Sequence, residues 1–195
     1  MASTTTRILL ARHGETDWNR ERRFQGHADP PLNELGRRQA RDLAESLVGA
    51  GLTALYTSDL RRAAETAEVL GSMLGVDVVT HPGLREIDVG AWSGLTREEI
   101  IERFPGEWEN WARGAITMRG GEPRELFQKR VLNAVVEVAG RHPGELVGLV
   151  AHGGVVRSLQ RHVLGDAMPV LENGATWEVW LQRGSLVSAG EPVPD

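Results

Sequence analysis

The sequence predicts an α/β fold of three layers, in which a mainly parallel central sheet is covered by helices on both faces. Short apolar runs of strand length alternate along the chain with longer segments whose apolar residues recur at helical spacing. The 195 residues are 41% hydrophobic and 25% charged, and no repeat or long linker divides them, so we expect a single domain over 1–195. The ends, residues 1–5 and 190–195, are expected to fray.

Strands and helices alternate regularly in the first part of the chain. Residues 8–11 form a continuous apolar run, which is typical of a strand buried on both faces. Asn33 is a favourable N-cap, and Gly49 is a common helix stop. Ser58 or Asp59 is expected to cap the next helix. The predicted elements are a strand at 4–12, a helix at 33–48, a strand at 52–57, a helix at 59–74 and a strand at 76–79.

The second part of the chain is less regular. Thr96 is expected to cap a short helix, while Pro123 and Gly140 are expected in the first turn and at the end of a longer one. Between these helices, residues 105–121 mix glycine, proline and tryptophan without a clean period. The predicted elements are a helix at 96–104, a helix at 123–139, a strand at 146–151, a helix at 155–164, and late strands at 176–180 and 185–188.

Composition argues against several classes of protein. A formal charge of −5 argues against a nucleic-acid-binding protein, and the apolar runs are far too short to span a membrane. The absence of cysteine excludes disulfides, thiolate zinc sites and cysteine-based phosphatase chemistry. No metal-ligand motif is visible, so we expect neither a metal nor a cofactor. The first residues show no basic segment before a long apolar stretch, so we expect a cytoplasmic protein.

Two polar segments follow predicted strands, at the edge where parallel sheets bind ligands. Arg12-His13-Gly14 offers a fixed cation and a glycine that permits close backbone approach, and Asn19 adds a neutral donor. His152-Gly153-Gly154 opens a helix, whose free backbone N–H groups favour an anion. Both segments therefore favour an oxyanion ligand.

Two further segments are ambiguous when taken alone. Residues 58–63 contain two adjacent arginines, which are either solvated or divided so that one faces inward. Residues 84–90 contain Glu86, which fits a cap or a surface charge.

Together these segments resemble the histidine phosphatase superfamily, in its phosphoglycerate-mutase-like branch. The family signature Arg-His-Gly-x-Thr, with the following Trp-Asn, matches residues 12–19. The resemblance runs in the family's order from about Arg7 to Trp180. The other matching segments are 24–26, 29–32, 35–36, 58–63, 84–94, 120–122 and 152–153.

The resemblance implies a reaction and a set of site residues. His13 is the expected nucleophile, which forms a phosphohistidine, and Glu86 is the expected general acid, which then activates water. The residues expected to neutralise the phosphate are Arg12, Arg62 and His152. The further positions that match the lining of the family's phosphate site are Asn19, Gln25, Gly26 and Gly153.

Three functions remain to be weighed. We expect a metal-independent phosphomonoester hydrolase acting on small phosphorylated metabolites. The alternative is a cofactor-dependent phosphoglycerate mutase, but family mutases carry Glu-Arg-His-Tyr where this chain has residues 86–89, and they have a longer insertion with a further lysine. Here Lys129 is the only lysine, and Gln25-Gly26 is similar to the phosphatase branch. A non-catalytic binding module would be expected to lack His13 or Glu86, and this chain keeps both.

Residues 104–122 stand where the family has a variable cover over the pocket. The cover's apolar residues, Trp108, Trp111, Ile116 and Met118, fit either a pocket rim or a loop anchor. Its arginines, Arg113 and Arg119, are expected either to bind an acidic group of the substrate or to lie solvated on the surface. Pro123 replaces a serine common in the family.

Substrate choice and assembly are left open by these patterns. Sugar phosphates, phosphoglycerate derivatives, phosphoserine and α-ribazole phosphate are candidate substrates. A homodimer could form through an edge strand near 176–180. The remaining histidines match no catalytic position and are expected to be surface or structural residues: His27, His81, His142 and His162.

Overall fold

The computed structural model describes residues 5–115, 117–165 and 171–189. Of the ends expected to fray, only Thr5 falls within these ranges. Ile116, predicted as part of the cover, lies outside them. The strands of this part of the chain are β1 Thr6–Arg12, β2 Leu52–Thr57, β3 Val78–Thr80, β4 Leu146–Ala151, β5 Thr176–Gln182 and β6 Ser185–Ser188. They form one sheet in the order β3-β2-β4-β1-β5-β6.

The predicted three-layer α/β fold is confirmed. Strands β1 to β4 pair in parallel, and β5 and β6 join as an antiparallel extension. The helices of the described residues are α1 Asp17–Arg20, α2 Glu34–Ser46, α3 Arg61–Leu74, α4 Arg97–Arg103, α5 Glu107–Ala112, α6 Arg124–Arg141 and α7 Gly153–Leu164. Alternate residues of β4 bury against α6 and α7 on one face and against α2 and α3 on the other.

Helix boundaries differ from the predictions where another part of the chain supplies the cap. Asn33 and Thr96 cap α2 and α4 as predicted. Helix α3, however, begins after Leu60, whose side chain makes no cap, and Asp29 Oδ1 accepts the Arg61 N–H instead at 2.6 Å. The sequence pattern cannot show a cap that comes from a distant loop.

The ends of α6 were also predicted wrongly. Pro123 is the N-cap and not part of the first turn, because its extended backbone precedes the first helical residue. Gly140 lies within the helix, which continues to Arg141. A Cβ added at Gly140 would meet nothing within 4 Å.

The predicted edge strand at 176–180 is not an edge. Strand β5 lies between β1 and β6, so its backbone groups are already paired on both sides. The exposed edges of the sheet are β3 and β6. The homodimer stays a prediction, and it would need a surface other than β5.

Two glycines fix the loop that follows β1. A Cβ at Gly36 would lie 2.1 Å from the Glu15 carbonyl oxygen, and one at Gly14 would lie 2.3 Å from the Gly36 carbonyl oxygen. The first turn of α2 can therefore press directly against residues 14 and 15 only because both glycines lack a side chain. This contact holds the loop beyond β1 in place.

The cover segment packs as a small second core. Trp92 is fully buried there, its ring stacked on Trp108 at 5.8 Å and edge-on to Trp111 at 5.4 Å between ring centroids. Phe24 meets the same cluster edge-on. Both tryptophans of the cover are thus anchors, and Trp111 also lines the pocket described below.

Candidate active site

Two histidines meet at the ends of adjacent parallel strands. Arg12 on β1 pairs with Ala151 on β4, and the His13 N–H donates to the Ala151 carbonyl at 2.9 Å. This register places His13 beside His152, with ring centroids 5.2 Å apart. Both rings are almost completely buried.

The hydrogen bonds of His13 define its tautomer. Nδ1 donates to the Gly14 carbonyl at 2.7 Å, so Nε2 carries the lone pair. Burial, and next the positive charge of Arg62, lowers the pKa of His13 well below its usual value. The ring is therefore neutral near pH 7 and has a nucleophilic nitrogen.

His152 is oriented by a residue whose role the sequence did not show. Its Nε2 lies 2.7 Å from Ser58 Oγ, and both groups are fully buried. Burial, and next Arg62, lowers the pKa of His152 well below its usual value, so the imidazole is neutral. When Ser58 donates to Nε2, the proton lies on Nδ1 and is available to an anion. Ser58 was predicted as a helix cap; its Oγ accepts the N–H of Leu60, the residue just before α3, at 3.2 Å, and it also contacts this histidine.

Of the two adjacent arginines at the start of α3, one faces the solvent and the other faces inward, which is the second of the two predicted alternatives. Arg61 pairs on the surface with Glu65, whereas Arg62 is 1% exposed. Arg62 donates to the carbonyls of Gly26 at 2.9 Å and Ala28 at 2.8 Å. Burial lowers the pKa of Arg62 to about 10, although the negative charges of Glu86 and Asp29 oppose this shift.

Several buried polar atoms of these residues have no hydrogen-bond partner. Within the described residues, the buried side-chain nitrogen and oxygen atoms that lack a hydrogen-bond partner are Arg12 Nε, Arg62 Nε, His152 Nδ1 and Gln25 Oε1. All four belong to predicted site residues. Three of them are donors, and the amide of Gln25 becomes a donor at the same place when it rotates by half a turn. Such a set of donors fits the oxygens of an anion.

Glu86 is held beside these donors by the start of α7. Its Oε1 accepts the Ile87 N–H at 2.8 Å, and its Oε2 accepts the Gly154 N–H at 3.0 Å. A Cβ at Gly154 would lie 2.2 Å from Oε1, so only glycine leaves room for the carboxyl group here. The carbonyl of Glu86 accepts from His27 Nε2 at 2.9 Å, which places this histidine next to the site.

Most of the predicted residues line one cavity of about 300 Å³. The predicted residues that line it are Arg12, His13, Asn19, Gln25, Gly26, Arg62, Glu86 and Gly153. His152 is not among the lining residues, but its ring centroid is 5.2 Å from that of His13. The oxygen of Asn19 accepts from the N–H and the hydroxyl of Thr16, both at 3.1 Å, which fixes the orientation of its amide.

The family model for the histidine phosphatase superfamily (branch 1) matches residues 8–178. The chain belongs to this superfamily. Phosphoserine phosphatase 1 of Hydrogenobacter thermophilus is 34% identical over 161 residues, which are 82% of this chain and 76% of that protein. Probable phosphoglycerate mutase GpmB of Cronobacter sakazakii is 35% identical over 164 residues, 81% and 74% of the two chains.

A solved structure of this superfamily has the same fold. Mycobacterial glucosyl-3-phosphoglycerate phosphatase, in complex with VO3, superposes with a TM-score of 0.82 and 32% identity. The match covers 91% of this chain and 97% of that one. The family inferred from the sequence motifs is confirmed.

The rim of the cavity contains cations that sequence reasoning missed. Arg113 and Arg119 do not line it: Arg113 donates to Asn110, and Arg119 pairs with Glu107. The arginines that line the outer part are Arg23, Arg124, Arg157 and Arg161. The spacing of Arg157 and Arg161 from Gly153, in steps of four along a helix, is the signal that could have found them.

Of the remaining histidines, His81 and His142 have structural contacts and His162 is exposed, as expected. His81 caps the Gly83 N–H, and His142 lies between Tyr56 and Glu145. Within 5–115, 117–165 and 171–189, no group of three or more His, Asp or Glu side chains could hold a metal ion. No helix among these residues is long and apolar enough to cross a membrane.

Proposed function

We propose that this superfamily member hydrolyses phosphomonoesters of small metabolites through a phosphohistidine at His13. The observation that carries the proposal is that Arg12 and Arg62, whose buried Nε atoms have no partner, line the same cavity as His13, whose Nε2 is free, and that the ring of His152 lies 5.2 Å from that of His13. A phosphomonoester has about −1.5 to −2 charge near neutral pH, and its oxygens match these donors. Phosphoryl transfer depends mostly on such positioning and electrostatics.

The first step transfers the phosphoryl group to the protein. The Nε2 lone pair of His13 forms the N–P bond as the ester P–O bond breaks. The leaving oxygen takes the proton of Glu86, whose carboxyl group lies in the same cavity. The products of this step are the alcohol and the phosphohistidine.

The second step returns the protein to its starting state. The Glu86 carboxylate takes a proton from a water molecule as that water attacks phosphorus. The N–P bond breaks, its electron pair returns to Nε2, and phosphate leaves. The backbone N–H groups of Ile87 and Gly154 hold the carboxylate in place in both steps.

The relatives support hydrolysis of small phosphorylated metabolites, because phosphoserine phosphatase 1 and glucosyl-3-phosphoglycerate phosphatase carry such activities in their names. We therefore propose a small phosphorylated metabolite as the ligand, and neither a nucleic acid nor a membrane. Charged metabolites of this kind are retained inside cells, which supports the proposed cytoplasmic location.

A phosphoglycerate mutase is the second candidate, because one relative is named a probable mutase and arginines that could grip a carboxylate line the outer cavity. A mutase must return the phosphoryl group to the substrate before water reaches it. The two activities therefore differ in whether phosphate is released.

The test measures phosphate release from a panel of phosphomonoesters, including 3-phosphoglycerate, in excess EDTA at several pH values. We expect chelator-resistant release, together with an acid-labile, radioactively labelled phosphoenzyme that His13→Ala removes. The exposed His162 provides the control His162→Ala, which should keep both signals. Conversion of 3-phosphoglycerate to its isomer faster than phosphate release would favour the mutase. Substantial hydrolysis by His13→Ala would overturn the nucleophile.

A further inference from the structure

The outer half of the cavity contains more positive charge than one phosphate needs. Arg12 and Arg62 belong to the phosphate site, and Arg23 is matched by Glu21 and Glu99. Arg124 and Arg157 remain, and among the described residues that line the cavity Glu86 is the one acidic residue.

Arg157 and Arg161 stand on the face of α7 that leads out of the phosphate site. They follow Gly153 at intervals of four residues, so the three positions share one helix face. Each interval advances about 6 Å along the axis. Burial, and next the like charge of Arg161 at this spacing, lowers the pKa of Arg157.

Arg157 has unused donors. It donates no hydrogen bond to any residue within the described ranges, although it lines the cavity beside Glu86 and Ser158. Arg124 also lines the cavity and is held in place, because it lies over the Trp111 ring at 5.6 Å and donates to the Trp111 carbonyl at 3.1 Å. Both of these contacts are uncharged, so the charge of Arg124 also adds to the field of the cavity.

We infer that the preferred substrate is a short-chain phosphorylated acid, whose carboxylate is bound by Arg157 in the field of Arg124. One planar guanidinium matches one carboxylate through two parallel hydrogen bonds. Gly153 and Arg157 are separated by about 6 Å along the helix axis. This separation matches a substrate whose carboxylate is only a few bonds from its phosphate ester. A cavity of about 300 Å³ suits a ligand of this size. The inference rests on the proposed phosphatase function and adds the class of substrate.

The test compares substrates that differ by the carboxylate. The pairs are 3-phosphoglycerate with glycerol 3-phosphate, and phosphoserine with phosphoethanolamine. We expect the ratio of kcat/KM within each pair to favour the acid by about tenfold, the usual effect of one charge-assisted hydrogen bond. Arg157→Gln should bring the ratio close to one, mainly by raising KM for the acid, and Arg157→Lys should retain part of it. Arg113→Gln, which changes an exposed arginine outside the cavity, should leave the ratio unchanged.

The outcomes separate this inference from the proposed function. Phosphate release with a ratio near one in the wild-type protein, or an unchanged ratio in Arg157→Gln, would overturn the carboxylate site alone. Absence of release from every member, 4-nitrophenyl phosphate included, would overturn the phosphatase. In that case calorimetry on the wild-type protein measures the dissociation constants of the same pairs. About tenfold tighter binding of the acid would support the carboxylate site, and equal binding within each pair would overturn it.

Discussion

A methyl group added at Gly154 would take the place of the Glu86 carboxyl group. The Cβ of Gly154→Ala would lie 2.2 Å from Glu86 Oε1 and 3.0 Å from its Cδ. Ordinary contacts of a Cβ begin at about 3.4 Å. The acid must therefore move by about 1.2 Å, and its hydrogen bond from the Gly154 N–H must lengthen or break.

The fold should tolerate this change because the displaced group is the end of a flexible side chain. Alanine is also a better helix former than glycine in the first turn of α7. A misplacement of about 1 Å can lower a rate by about 10²-fold. We therefore expect kcat/KM for alkyl phosphates to fall by about two orders of magnitude, with little change in stability.

The assay compares leaving groups, because kcat/KM reports the first step, in which Glu86 acts as the acid. Alkyl phosphates leave as strongly basic alkoxides and need the proton, whereas aryl phosphates leave more easily. The loss in Gly154→Ala should be several-fold smaller for aryl phosphates. Gly140→Ala in α6 is the control, since its Cβ meets nothing within 4 Å and its kinetics should match the wild-type protein.

Two results would refute this reasoning. Wild-type kcat/KM for alkyl phosphates in Gly154→Ala would show that the position of Glu86 does not govern the first step. An equal loss for aryl and alkyl phosphates, with unchanged stability, would show that the substitution acts through something other than the acid.

Three further predictions concern the donors and the fold around them. Ser58→Ala removes the partner of His152 Nε2 and should weaken inhibition by vanadate about five- to tenfold; an unchanged inhibition constant would contradict the tautomer assigned to His152. Because burial lowers the pKa of His13 and His152 below the value near 6.5 of the unfolded chain, stability should be fully present above about pH 6.5 and decline as the pH falls below it. Urea unfolding at pH 7.5 and 5.5 measures this decline, which should be smaller in His13→Asn; an identical decline there would exclude His13 as a cause. Gly36→Ala places its Cβ 2.1 Å from the Glu15 carbonyl oxygen and should cost about 1–3 kcal/mol in urea unfolding, and a loss below a few tenths would contradict the close packing.

The parallel strands and their ends could be predicted because their signal is local. The predicted bounds of the strands at 52–57 and 146–151 agree with β2 and β4 residue for residue. Continuous apolar runs require burial on both faces, and parallel pairing then brings the ends of β1 and β4 together. The histidines that follow these strands could therefore be expected to meet.

The features that could not be predicted depend on which distant segments meet. Helices α1 and α5 have 4 and 6 residues, too few to show a period. The cap of α3 comes from Asp29, and β5 is interior only because β6 pairs outside it. The same reason explains the arginines: Arg113 and Arg157 are equally charged in the sequence, and only packing places one in the cavity.

The site lowers the stability of the free protein, and that cost indicates what it binds. Each buried polar atom without a partner costs about 1–3 kcal/mol, and among the described residues all such side-chain atoms belong to the proposed phosphate site. Arg62 adds a buried cation whose hydrogen bonds go only to uncharged carbonyls. An apolar core would avoid these costs, whereas a bound phosphoryl group satisfies the donors and neutralises the cations together. Buried polar atoms without partners, and buried cations, are expected at sites where the chemistry of the protein requires them. The same donors therefore explain both a less stable free protein and a site arranged in advance for phosphoryl transfer.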